Sequence, residues 1–338
     1  VTIEDQSVTP VVSFVSRLAN GICDASIATE NFTGSVTVDQ TSGVGTTLTY
    51  DWTYLGTVLD AGGATYVVLN TETSATLANV PDGDYSVFVT DEFGCSSLPI
   101  TVTVLFDQVL PVANEDITHN TLCSDPGNGI VDVLSINLDA TNIPRGSASY
   151  SDFTINLRDI ATNALVPAVV GTPGRFEGLG LEGLDKDYRI EIINNLTGCP
   201  STEVVTVEDR SVKPVLTEDT KMNNDICDPL LGYTGFVQAT YTDANDPGTN
   251  TYSVLWETEV ITGSGVFLDI NVAAFNLTHP DATDNSSPGI ARLENIPGGN
   301  YRVTVTNTST GCAANFIDIT IIVTPTLPIP VITNNVDQ

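Results

Sequence analysis

The run Val80-Pro81-Asp82-Gly83-Asp84-Tyr85-Ser86-Val87-Phe88-Val89 decides the reading of this chain, because it occurs three times. Its later copies are Gly183-Leu184-Asp185-Lys186-Asp187-Tyr188-Arg189-Ile190-Glu191-Ile192 and Ile296-Pro297-Gly298-Gly299-Asn300-Tyr301-Arg302-Val303-Thr304-Val305. Each copy starts with turn-forming residues drawn from Pro, Gly and Asp. A Tyr then opens a strand whose alternate residues, Tyr85, Val87 and Val89 in the first copy, share one face. In sandwich domains a Tyr at such a corner turns inward and ties its hydroxyl to nearby backbone. Tyr85, Tyr188 and Tyr301 are therefore read as structural corner residues.

The cysteines follow the same frame. Cys23 and Cys95, Cys123 and Cys199, and Cys227 and Cys312 form three couples, and the second of each follows a Gly. The joins between copies also repeat. Asp5-Gln6-Ser7-Val8-Thr9-Pro10-Val11 resembles Asp209-Arg210-Ser211-Val212-Lys213-Pro214-Val215, and Asp107-Gln108-Val109-Leu110-Pro111-Val112 matches with one residue fewer. Repeats thus run over 12–109, 110–213 and 214–332. Residues 1–11 read as the end of a preceding repeat and 333–338 as the start of the next linker. Short β-rich runs such as Ser35–Val38, Leu48–Trp52 and Tyr66–Leu69 recur at the spacing of an all-β sandwich.

The predicted architecture is all-β, a tandem array of three immunoglobulin-like sandwiches with one intradomain disulfide each. Such a bridge closes a loop of roughly 70 to 85 residues and contributes about 4 kcal/mol in the loop-entropy model. The second Cys follows the Tyr by 10 or 11 residues, so the expected bridge pins strand ends near one pole. Trp52 and Trp256 are expected in the cores of repeats 1 and 3, with Phe153 in roughly that region of repeat 2. Paired Cys place the chain in an oxidising compartment.

Composition narrows the function. The 338 residues carry 42 Asp and Glu against 11 Lys and Arg, a net charge of -31. Nucleic acid and anionic lipid need clustered cations, so neither is an expected partner. No stretch approaches 18 uninterrupted apolar residues, so direct membrane insertion is not expected. Gly and Pro number 27 and 18, while Met occurs once, and no long helical periodicity is present. The opening Val1-Thr2-Ile3-Glu4-Asp5 reads as the last strand of something earlier, in an internal fragment.

The phrase Asp82-Gly83-Asp84-Tyr85-Ser86-Val87-Phe88-Val89-Thr90-Asp91-Glu92-Phe93-Gly94-Cys95 resembles the SprB-type repeats of Bacteroidota gliding adhesins. Those repeats are in turn similar to PKD-like and immunoglobulin-like modules. The resemblance implies type IX secretion, a long cell-surface filament, and contact with polysaccharide or solid substratum beside neighbouring repeats of the same polypeptide.

Catalytic motifs are not found. His119 and His279 stand apart in polar stretches, with no Gly-x-Ser-x-Gly elbow. The Gly178–Gly183 segment is no phosphate loop, because no Gly-Lys-Ser/Thr follows. Acidic residues recur at the joins: Asp107, Glu115, Asp116, Asp209, Glu218 and Asp219. Hard oxygen ligands gathered there would suit interdomain Ca²⁺; the plainer reading is a solvated surface that discourages edge-to-edge association. No other cofactor is expected. Asn-x-Ser/Thr sequons stand at Asn31, Asn195, Asn276, Asn285 and Asn307, and the 276–289 loop is the first place to look for a ligand contact.

The function expected is a non-catalytic extracellular stalk or adhesive filament segment. Two alternatives remain: a subunit polymerised by strand exchange through Val1–Ile3 or the 317–323 tail, and a spacer in a large secreted hydrolase.

Overall fold

The computed structural model describes every residue except 1–7, 27, 29, 44, 58–65, 67–73, 245, 247, 271–281 and 326–338. The opening strand, Asp5, the run at 67–69, Asn276, His279, the front of the 276–289 loop and the 333–338 linker lie outside the described residues.

Repeat 1 contains β1 (Val11–Leu18), β2 (Gly34–Ser42), β3 (Leu48–Tyr54), β4 (Thr76–Val80), β5 (Gly83–Asp91) and β6 (Ile100–Val104). They form two sheets, β1-β2-β4 and β3-β5-β6. The repeated phrase becomes β5, in which Tyr85, Val87, Val89 and Asp91 face inward. Repeat 2 contains β7 (Pro111–Thr118), β8 (Gly129–Leu138), β9 (Thr141–Pro144), β10 (Phe153–Asp159), β11 (Leu165–Val166), β12 (Arg175–Leu179), β13 (Lys186–Asn194) and β14 (Pro200–Val207). Its sheets are β12-β8-β7, with β9 on β8, and β11-β10-β13-β14. Repeat 3 contains β15 (Val215–Met222), β16 (Gly235–Thr242), β17 (Tyr252–Glu259), β18 (Phe267–Asp269), β19 (Thr283–Asp284), β20 (Ile290–Ile296), β21 (Gly299–Asn307) and β22 (Ile317–Ile321). Its sheets are β15-β16-β20-β19 and β18-β17-β21-β22. All three repeats share one six-strand pattern, an immunoglobulin-like sandwich with its core between two sheets.

The cores of repeats 1 and 3 are built alike. Trp52 lies opposite Val87 and Trp256 opposite Val303, and both Trp side chains are buried. In repeat 2 the same register places Leu157 opposite Ile190. Leu157, fully buried, therefore takes the Trp position, and Phe153 lies four residues earlier at the head of β10. The Tyr85 hydroxyl donates to the Pro81 carbonyl at 2.7 Å, and the Tyr301 hydroxyl to the Pro297 carbonyl at 3.0 Å. Burial pushes both phenols above their ordinary pKa. Tyr188 is also buried.

Just before each corner the chain bulges. Asn79 and Asn295 adopt φ of 58°, and Gly178 adopts 73° at the matching place; Asn and Gly are the residues that tolerate this left-handed region. The facing strand answers with a glycine. A Cβ on Gly34 would lie 2.4 Å from the Val80 carbonyl oxygen, and one on Gly235 would lie 2.3 Å from that of Ile296.

The chain divides into two compact units. One comprises Val1–Ile117, Ile130–Glu177 and Asp187–Thr206, the other Thr118–Gly129, Gly178–Lys186 and Val207–Gln338. The division runs through repeat 2.

Within the first unit, Asp132 on β8 is nearly buried between two guanidiniums. Arg145 and Arg175 both donate to it, Arg175 at 2.9 Å. Burial alone would raise the Asp132 pKa, but the hydrogen bonds and charges of the two Arg side chains outweigh it and hold the carboxyl below its usual range. A depressed carboxylate contributes stability above its unfolded pKa of about 4, and that contribution fades as pH falls through the lower folded value. Asp132→Asn is expected to cost about 1–3 kcal/mol near neutrality, with the deficit shrinking below about pH 4. Thermal melts of both proteins from neutral to acid pH check this; a deficit independent of pH would contradict it.

Candidate functional site

The feature that unites the repeats is a pair of loops, each built around a buried polar side chain. The first follows the opening strand. Asn20, Asn120 and Asn224 are almost wholly buried. The Asn20 amide donates to the Ile22 carbonyl at 3.1 Å and accepts the Ile22 N–H at 3.2 Å. Asn120 holds Leu122 in the same way, at 2.8 and 3.1 Å, and Asn224 holds Ile226, at 2.7 and 3.2 Å. The backbone of each Asn is clamped to the segment just past the last strand of its own repeat. Asn20 N–H donates to Leu105 and Asp107 N–H returns to Asn20; Asn120 and Asn224 have the same two bonds, to Glu208 and Arg210 and to Ile322 and Thr324. One residue past each gripped Ile or Leu stands a cysteine: Cys23, Cys123 and Cys227.

The second loop follows the corner strand. Asp91, Asn194 and Asn307 are buried at its base. The N–H of each donates to the carbonyl of the loop's cysteine, at 3.1 Å to Cys95, 3.0 Å to Cys199 and 2.8 Å to Cys312. The preceding glycines, Gly94, Gly198 and Gly311, donate back to Asp91, Asn194 and Asn307. Each turn requires φ between 70° and 84° at its glycine, which glycine adopts without a Cβ penalty. A polar base, a left-handed Gly and a Cys therefore make one presentation loop.

The bridges correct the expected pairing. Cys23 is bonded to Cys199 and Cys123 to Cys312, each with Cα atoms 4.8 Å apart, and Cys95 and Cys227 are not bonded to any cysteine of the chain. The intradomain pairs Cys23–Cys95, Cys123–Cys199 and Cys227–Cys312 do not form. The reason is strand direction. Asn20 lies beside Phe106 at the trailing pole of repeat 1, where β5 begins opposite Val104. β5 then runs nine residues to Asp91 before the chain reaches Cys95, which carries that cysteine about 25 Å away to the leading pole. A disulfide needs Cα atoms within about 7 Å. Repeat 3 has the same opposition: Asn224 pairs with Val323 at the trailing pole, and β21 carries the chain away from Gly299, opposite Ile321, toward Cys312. The bridge joins a trailing pole to the leading pole of the next repeat.

Backbone contacts complete each junction. In the first unit Cys23 N–H donates to the Thr197 carbonyl at 2.8 Å and Glu30 N–H to the Leu196 carbonyl at 3.1 Å. A Cβ on Gly198 would lie 2.4 Å from the Asp24 carbonyl oxygen, so glycine lets the two loops touch. In the second unit Cys123 N–H donates to the Thr310 carbonyl at 3.0 Å. With sequence separations of 176 and 189, each bridge contributes about 5 kcal/mol in the loop-entropy model.

The other candidate residues are engaged separately. The Asp209 carboxylate accepts the Ser211 and Gly183 N–H groups at 3.0 and 2.6 Å; burial opposes these bonds, yet they hold its pKa below the ordinary range. Glu218 pairs with Lys221 at 3.1 Å, and Asp219 accepts from Gln238 at 2.6 Å. Asp116 is exposed. Glu115 faces Glu203, whose carboxyl is pushed up by burial and by that like charge. Asp107 contributes its N–H to the Asn20 clamp. Among the described residues, no three of His, Cys, Asp and Glu gather closely enough to hold a metal ion. His119 Nδ1 accepts the Glu208 N–H at 3.1 Å, which gives that ring a place in the trailing pole of repeat 2.

An open groove of about 870 Å³ on repeat 3 is lined in part by Asp246, Tyr252 and the described end of the 276–289 loop. Its three aspartates all have partners: Asp246 accepts from Gly248 N–H, Asn250 N–H and the Tyr252 hydroxyl at 2.8, 3.2 and 2.9 Å, Asp243 accepts from the Asn307 amide, and Asp284 accepts the Ser286 N–H. The sequence reading missed the buried Asn and Asp residues. The signal was present in an Asn three residues ahead of every first cysteine.

Fold and junctions together define a class, tandem immunoglobulin-like β-sandwiches stapled by inter-repeat disulfides. No family model matches the chain, and no curated protein matches it. Among solved structures it is similar to the N-terminal four Ig domains of Dscam1 isoform 6.9, at 12% identity and TM-score 0.23, covering 95% of this chain and 78% of that one. The chicken CNTN1 FN1–FN3 domains match at 13% and 0.21, covering 93% and 99%. Domains 7, 8 and 9 of the S-layer protein SbsC match at 12% and 0.27, covering 74% and 73%. At these scores the likeness adds no argument, and the sandwich assignment rests on the sheets themselves.

The bridges re-route tension through the chain. The shortest covalent path from residue 1 to 338 runs to Cys23, across to Cys199, back to Cys123, across to Cys312 and onward. Pulled from its ends, the oxidised chain should stop at about 450 Å, because only about 125 residues lie on that path, against about 1,200 Å when reduced. Single-molecule stretching with and without reductant measures both lengths; equal lengths would contradict the pairing.

Proposed function

We propose that this chain is a non-catalytic repeat segment of an extracellular surface protein, acting as a stalk that holds a contact surface away from the cell. The observation that carries this reading is the pair of inter-repeat bridges. They remove residues 24–122 and 200–311 from the tension path, so most of repeats 1 and 3 stays folded while the chain is pulled. Disulfides of this kind persist in oxidising surroundings. The surface is strongly acidic, at -31, which favours solubility outside the cell. Among the described residues no helix is long and apolar enough to cross a membrane.

The finer reading is a gliding adhesin of the SprB type, exported by the type IX route and touching polysaccharide or solid substratum. It is supported by the Asp82–Cys95 phrase. A second reading, a subunit of a polymerised surface filament, is favoured by the two cysteines that lack a bridge within the chain. Fluorescent antibody fragments against these repeats, applied to intact source cells before and after protease shaving, test the proposal. Surface label removed by shaving is the expected result, and label that travels along the cell body supports the gliding adhesin. Label seen only after permeabilisation would overturn the surface reading.

A further inference from the structure

Cys95 and Cys227 carry no bridge within the chain, yet each is held in a loop built like the bridged ones. At Cys95 the carboxylate of Asp91 accepts the Phe93 and Cys95 N–H groups at 3.0 and 2.9 Å, and the Asp91 and Gly94 backbone bonds repeat those around Cys199 and Cys312. At Cys227 the Asn224 amide grips Ile226 as Asn20 grips Ile22. The loops differ in what faces them. Gly198 abuts the backbone of Asp24, whereas no atom lies within 4 Å of a Cβ built on Gly94. Cys199 and Cys312 are buried, while Cys95 is half-buried and Cys227 exposed. Apolar side chains are exposed beside both thiols: Phe93 at 70% and Leu98 at 83% near Cys95, Leu230 at 90% and Leu231 at 75% near Cys227. Asp91 is itself buried, and one of its carboxylate oxygens has no hydrogen-bond partner.

The geometry points to one further bridge whose halves are these two poles: we propose that Cys95 of one copy of this chain bonds to Cys227 of a second copy. A leading pole then meets a trailing pole, as repeat 1 meets repeat 2 within the chain. The contact is heterologous, joining unlike surfaces head to tail. A small-molecule disulfide, oxidised glutathione, serves as oxidant. The Cys95 thiolate displaces one glutathione thiolate and forms a mixed disulfide; the Cys227 thiolate of the second copy attacks the Cys95 sulfur and displaces the other. One protein disulfide forms, one small disulfide is reduced to two thiols, and the protein protons end on those thiols. The inference rests on the two loops and what surrounds them, whether or not the chain is a surface stalk.

Cys95→Ser and Cys227→Ser leave the two existing bridges intact, and melting temperatures equal to that of the parent chain verify folding. Each variant alone and an equimolar mixture are incubated with oxidised and reduced glutathione. Non-reducing electrophoresis should show a covalent dimer in the mixture that exceeds either homodimer several-fold, and its digest should contain a peptide linking Cys95 to Cys227. The parent chain should form a ladder of multimers that collapses on reduction. Homodimers as abundant as the mixed dimer, or chains that end only as glutathione adducts, would overturn the proposal.

Discussion

A buried asparagine amide, three residues ahead of the first cysteine of every repeat, is the contact on which the rest depends. Its amide closes on the backbone two residues later, and its own backbone is clamped to the segment just past the last strand of the same repeat. A buried amide is expensive to leave unpaired, and here it is matched by the surrounding loops: in repeat 1 it donates to the Ile22 carbonyl and Asp82 and accepts the Ile22 and Thr33 N–H groups. The cysteine that follows is thereby aimed outward from the trailing pole at a position set by the core. The opposite loop, based on Asn194 or Asn307 and turned by a left-handed glycine, presents the other sulfur with similar definition. Two rigid presentations meeting at 4.8 Å between Cα atoms need little further ordering to bond.

Much of the fold was legible in the sequence, and the reasons are local. The corner tyrosine, the alternating Val residues after it and the Pro, Gly and Asp turn before it obey short-range rules, and β5, β13 and β21 follow them. The sheet register, by contrast, is long-range. It is why Leu157, and not Phe153, occupies the place of Trp52 and Trp256. The repeat frame also identified all six cysteines as one system. It failed on their partners because sequence order suggested pairing within a repeat, while strand direction carries the two sulfurs of repeats 1 and 3 to opposite poles. The register shows the conflict: β5 begins opposite the end of β6, at the Cys23 pole, and traverses the sandwich before Cys95 is reached.

The acidic joins show a different limit. Asp209, Glu218 and Asp219 looked like a ligand set when spaced along the sequence. In the fold Asp209 accepts from Asn120, Glu218 pairs with Lys221 and Asp219 accepts from Gln238. Abundant carboxylates make such coincidences common, and only side-chain placement separates a ligand from a cap. Side-chain placement likewise decides which cysteines meet, and the resulting covalent links leave most of repeats 1 and 3, but not repeat 2, off the shortest covalent path.

The central claim is that sulfur joins one repeat to the next. Proteolysis of the oxidised chain without reductant, followed by mass spectrometry of the linked peptides, tests it most directly. The account predicts fragments joining Cys23 to Cys199 and Cys123 to Cys312, which separate on reduction. Fragments joining Cys23 to Cys95 and Cys123 to Cys199 would contradict it.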